Sequence, residues 1–186
     1  MNRFCLAVFA LATLLLPAEV SAQTAAADPH TYNDPAMSYT APADYTPIPV
    51  PSSPPTGFNG TVLQAAFVRH PKQADVTIIS LRMDNYNDDL DSYEQQAEGA
   101  VRNQGSDNSV FVKKQLTTLP NGMPAYFLSV TVGADAGQQE LYEYIWVDGV
   151  RGITLSVTGR FGVIDDRSAK KVLGDVSGVA YPRNRY

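Results

Sequence analysis

Residues 141–158 read LYEYIWVDGVRGITLSVT, two runs of aromatic and β-branched residues on either side of one Asp148-Gly149. Such side chains favour the pleated, extended backbone, and glycine accepts the positive φ that a two-residue type I′ turn demands. The stretch is therefore expected to be a β-hairpin. It would place Val147 opposite Val150, Trp146 opposite Arg151, Tyr144 opposite Ile153 and Tyr142 opposite Leu155. The strand period of two then sorts the side chains by face. Tyr142, Tyr144, Trp146, Arg151, Ile153, Leu155 and Val157 share one face, mostly apolar, which should lie under a helix. Leu141, Glu143, Ile145, Val147, Gly152, Thr154, Ser156 and Thr158 share the other, whose mixed character predicts partial cover.

The same logic runs along the chain. Residues 61–68 and 74–81 read as strands. Over 88–103 the period changes: Leu90, Tyr93, Ala97, Ala100 and Val101 recur at helical spacing, with an Asp at the start to cap and Gly105 to end the helix. Residues 109–118 and 123–132 read as strands joined around Asn121-Gly122, and 133–139 as a loop into the hairpin. A closing helix follows, capped at Asp165-Asp166, with Ala169, Val172, Leu173 and Val176 as its apolar stripe. The order β-β-α-β-β-β-β-α predicts one α+β domain over 57–182, an antiparallel sheet of about six strands flanked by two helices. Hairpin-length links exclude a doubly wound parallel sheet, which needs crossovers.

The ends read differently. Residues 1–22 have the form of a cleavable signal peptide: Arg3, an apolar run over 4–15, and Val20-Ser21-Ala22 before Gln23. The run is shorter than the ~20 residues that span a bilayer, so no stable membrane insertion is expected once it is removed. Residues 23–56 read as a flexible tether, because eight of the 13 prolines fall between Pro29 and Pro55 and such a composition favours an extended chain. Residues 183–186 are a short tail. The single cysteine, Cys5, lies in the leader. The remaining chain has no disulfide, thiolate nucleophile or cysteine zinc site. A periplasmic or secreted location follows.

The formal net charge of −5 argues against nucleic acid as a partner, since phosphate binding needs clustered Lys and Arg. Neither glycine-rich phosphate-loop pattern occurs, and no cofactor is expected. Among candidate sites, Asp84, Asp88, Asp89 and Asp91 place oxygen ligands near one another, as Ca²⁺ prefers. The spacing does not fit an EF-hand loop, and the alternative reading is a polar loop that caps the helix. Trp146 and Arg151 read either as a cation–π clamp within the structure or as the edge of a partner-binding surface. His70 reads as a turn residue, and no nucleophile motif accompanies it. Lys113 and Lys114 alternate across a strand, and Glu94 and Glu98 read as solvent-facing.

One succession of residues resembles a known family. It runs from a Pro-rich entry through Phe58-Asn59-Gly60 to Phe67-Val68-Arg69-His70-Pro71 and a helix holding Tyr93 and Ala97. It continues with the 119–125 hairpin (LPNGMPA), the Tyr-x-Tyr-x-Trp strand and a last helix with Ser168-Ala169-Lys170-Lys171. Over about residues 45–182 the chain resembles a Mog1/PsbP-like domain, by element order. The resemblance implies an antiparallel sheet flanked by helices, and a non-catalytic binding or assembly role without a particular ligand.

The function expected is that of an exported, non-enzymatic domain binding a protein or cell-envelope component. The alternative is a carrier of a small molecule or of Ca²⁺, seated at the acidic loop or in a sheet–helix cleft. A hydrolase ranks last.

Overall fold

The computed structural model describes residues 28–34, 37–50, 62–70, 75–104, 111–133 and 138–174. The expected leader, residues 51–56 of the Pro-rich segment, Gly105, Val176 and the tail lie outside them.

Three short strands come first: β1 (Thr31–Asn33), β2 (Ser38–Thr40) and β3 (Thr46–Ile48). Then follow β4 (Val62–Arg69), β5 (Thr77–Asn85), α1 (Leu90–Gln104), β6 (Phe111–Thr118), β7 (Pro124–Val132), β8 (Gln139–Val147), β9 (Arg151–Arg160) and α2 (Asp166–Leu173). β1 and β2 pair with each other, and the other strands form one sheet in the order β3-β4-β5-β9-β8-β7-β6. Every neighbouring pair is antiparallel. The fold is α+β, as the sequence pattern predicts.

This order positions α1. The chain leaves β5 in the middle of the sheet, crosses one face as α1 and re-enters at the far edge as β6. The β6–β9 meander then walks back until β9 pairs with β5. The helix consequently packs on β8.

The hairpin keeps its expected faces with a different register. Val147 lies opposite Gly152, Trp146 opposite Ile153, Tyr144 opposite Leu155 and Tyr142 opposite Val157. The reason is Asp148. Its carboxylate accepts from the Arg151 backbone N–H at 2.9 Å and its own N–H donates to the Arg151 carbonyl at 2.9 Å, which lengthens the turn. Gly149 takes φ +86° inside it. A slip of two residues leaves every side chain on its original face.

The apolar face carries the larger core. Ile79, Leu81, Phe127, Trp146, Ile153 and Leu155 pack there against Ala169 and Leu173 of α2. Asp165 caps α2 by accepting from the Ser168 N–H at 2.7 Å. An eight-residue helix is about 12 Å long, too short to cover a seven-stranded sheet.

The remaining cover comes from residues read as tether. Met37, Tyr39, Ala41 and Tyr45 are buried in this core, Tyr39 completely. The Tyr39 hydroxyl donates to the Val172 carbonyl at 3.0 Å, and the Tyr45 hydroxyl accepts from Thr77 at 3.0 Å. β3 extends the sheet beside β4, where an edge position tolerates Pro47. The tether expectation is corrected over the described residues 28–34 and 37–50, where the chain is a strap pinned by two tyrosines.

On the opposite face a smaller cluster, Leu128, Val130 and Ile145, packs against Tyr93 of α1. The alternation of Lys113 and Lys114 is realised, since Lys113 reaches Asp166 of α2 at 3.7 Å and Lys114 reaches Glu94 of α1 at 2.8 Å. Glu94 is therefore not solvent-facing. Its side chain is 2% exposed, because Lys114 of the neighbouring edge strand rises to meet it.

Candidate functional site

Antiparallel register lays residues in rows across the α1 face of the sheet. One row runs Leu128, Glu143, Ser156, Ser80. Beside it run Ile145, Thr154, Arg82 on one flank and Leu141, Thr158 on the other. Polar groups thus occupy the middle of a face that is apolar towards β7.

α1 is fixed over these rows at its first turns. Asp89 caps it by accepting from the Ser92 N–H at 2.7 Å. The Tyr93 ring lies on Gly152, where a Cβ would overlap ring carbons. Its hydroxyl donates to Asp84 at 2.6 Å and lies 3.4 Å from the Thr154 hydroxyl. The Tyr86 ring packs on it at 4.7 Å between centroids. Burial and the Asp84 carboxylate push the Tyr93 phenol well above its ordinary pKa, so it stays a donor.

Beyond Tyr93 the helix presents Gln96, Ala97 and Ala100 towards the sheet, and the two alanines leave room beneath it. The gap is a cleft of about 470 Å³ between α1 and the polar rows. Its floor holds Glu143, Ser156 and Thr158, and Arg82 and Asp84 also line it.

Glu143 is the unusual member. It is 5% exposed, and its Oε1 has no hydrogen-bond partner among the described residues. Ser156, the cross-strand neighbour that would be expected to serve it, is 2.8 Å from the Ser80 hydroxyl and donates to the Ser80 carbonyl at 3.4 Å. Burial raises the Glu143 pKa to about 7, and the Arg82 guanidinium draws it back only in part. An ionised carboxylate in such surroundings costs several kcal/mol unless something donates to it.

The residues singled out in the sequence are not brought together here. Trp146 is 1% exposed and belongs to the core on the other face, opposite Ile153 rather than Arg151. It offers no partner surface, and the cation–π clamp is not formed. Arg151 binds Asp34 at 2.8 Å and Asp148 at 2.6 Å, tying the N-terminal strap to the hairpin tip.

The acidic loop is dispersed. Asp84 serves Tyr93, Asp89 caps α1, and Asp91 accepts from the Tyr126 hydroxyl at 2.7 Å. Asp88 accepts from the Asp89 N–H at 2.9 Å. Among the described residues no group of three or more His, Cys, Asp or Glu is placed to hold a metal ion. His70 is exposed at the end of β4. The sequence assigned Glu143 to the mixed face without singling it out. The usable signal was a carboxylate between Leu141 and Ile145, pointing inward from a strand with neighbours on both sides.

No protein-family model and no curated protein matches the chain. Among solved structures it is similar to LpqN, described as involved in cell envelope biogenesis of Mycobacterium tuberculosis. The TM-score is 0.51 at 17% identity, over 77% of this chain and 84% of that one. At that identity the likeness is one of fold. Among the described residues no helix is long and apolar enough to cross a membrane.

Proposed function

We propose that the chain is an exported, non-enzymatic binding domain of the cell envelope, of the Mog1/PsbP-like kind, which seats a small ligand in the cleft between α1 and the sheet. The observation that carries this reading is Glu143, whose buried Oε1 has no hydrogen-bond donor among the described residues, in a cleft that a small molecule can enter. A purely structural position there favours an apolar residue, since an unsatisfied buried polar group costs ~1–3 kcal/mol. The Ser80–Ser156 pair supports a binding role over a hydrolytic one, because both hydroxyls are engaged with each other rather than with a base. The envelope setting is supported by the form of residues 1–22 and by the fold of LpqN.

Native mass spectrometry of the mature chain, after incubation with envelope extract, tests the reading. A discrete small-molecule adduct is expected on the wild type, and it should be absent from Ala97→Trp, whose indole fills the cleft. An adduct that survives in a folded Ala97→Trp places binding elsewhere. Wild type without any adduct removes the carrier role.

A further inference from the structure

Resting on that reading, we propose that the cleft selects a primary ammonium carried on an apolar stem, with the head donating to Glu143. Three charged side chains line the cleft. Asp84 is engaged by Tyr93, and Arg82 is the one counter-charge that acts on Glu143. β7, β8 and β9 contribute no other ionisable group to the lining, and α1 contributes only the Tyr93 phenol. With Glu143 ionised the lining therefore carries one negative charge in excess, with the Glu143 Oε1 unpartnered, and a monocation balances it.

The remaining geometry fits such a ligand. The acceptor at the floor lacks a donor, and an ammonium brings three. Ala97, Ala100 and Val101 on the helix side and Val132 and Leu141 on the sheet side give an alkyl stem apolar surface. Gln96 and Gln139, also in the lining, are neutral.

The proton balance is simple. Where Glu143 enters as the neutral acid, binding R–NH₃⁺ yields the carboxylate–ammonium pair and releases one proton to solvent. Burial alone holds that proton in the empty cleft, with Arg82 opposing. Affinity for an ammonium should accordingly rise as the pH rises, by about tenfold from pH 6 to pH 8, in proportion to the ionised fraction.

The test is isothermal titration calorimetry of the mature chain with n-hexylammonium, 1-hexanol and hexanoate, in two buffers of different ionisation enthalpy. The expected result is binding of hexylammonium with net proton release at pH 7, and at least tenfold weaker binding of the other two. Glu143→Gln should lose at least tenfold for hexylammonium. The proton count on wild type decides the matter if that variant does not fold. Hexanol binding as tightly as hexylammonium, or hexanoate binding more tightly, overturns the ammonium selection and leaves the cleft as a ligand site. If none of the three binds while the envelope-derived adduct is present, the ligand class is wrong and the carrier reading stands. If both are absent, both fall.

Discussion

Glu143 turns burial into a pH dependence. Its carboxyl titrates at about 7 in the folded chain against 4.5 as the ordinary value, because burial disfavours the charged form. A raised acid pKa means that the folded state holds its proton more tightly than the unfolded one. The associated stability is fully present below pH 4.5 and is lost progressively as the pH rises through 7. From this group alone the loss is on the order of 3 kcal/mol. Urea unfolding between pH 4.5 and 8 should show the decline in wild type and a flatter profile in Glu143→Gln; parallel profiles would mean that the carboxyl is solvated. Gly152 is the second residue that matters at this scale. Its missing Cβ makes room for the Tyr93 ring, so Gly152→Ala should cost ~1–3 kcal/mol as an overpacked site. Combined with Tyr93→Leu the two losses should add to less than their sum, because both report one contact. Additive losses would show that ring and glycine do not meet. Neither residue announced itself in the sequence: alternation assigned both to a mixed face, but only register places Glu143 beside an engaged Ser156 and Gly152 under a tyrosine.

Among elements, the N-terminal strap has the least visible role in the sequence and a large one in the fold. Its prolines suggested a tether, yet Met37, Tyr39, Ala41 and Tyr45 complete the core that α2 is too short to cover. Long-range packing decides this, and local composition does not encode it. Arg151 holds the strap to the hairpin through Asp34, while Asp148 is 3% exposed at its side chain. Arg151→Ala removes the guanidinium from both carboxylates, which keep their backbone and hydroxyl donors, and should destabilise the domain by ~1–3 kcal/mol. In hydrogen exchange, amides of residues 37–45 should lose protection before those of β8 and β9. Uniform loss across the sheet would deny the strap its own fastening. Trp146→Ala combined with Arg151→Ala should unfold the domain at ordinary temperature, since it removes a core indole as well. A folded double variant, read by near-ultraviolet circular dichroism, would contradict the burial of Trp146. The two helices were more legible: Asp89 and Asp165 cap where a polar residue precedes an apolar stripe.

The molecule as a whole is an antiparallel sheet with two unequal faces, one closed by α2 and the strap, the other held open by α1. Strand periods made the sheet and the closed face legible, because alternation is a local property. The open face was legible only as incomplete apolar cover. Its cleft depends on small helix residues at Ala97 and Ala100 meeting a polar row assembled from strands far apart in sequence. The most direct measurement on the central claim is the side-chain ¹³C chemical shift of Glu143, followed by NMR from pH 4 to 9 with and without n-hexylammonium. A midpoint near 7 in the free chain, moving lower on saturation, is the result expected of a buried carboxyl whose Oε1 takes up the ammonium proposed for the cleft. A midpoint in the ordinary glutamate range, unmoved by the ammonium, would mean that the carboxyl is solvated and the cleft is not the binding site.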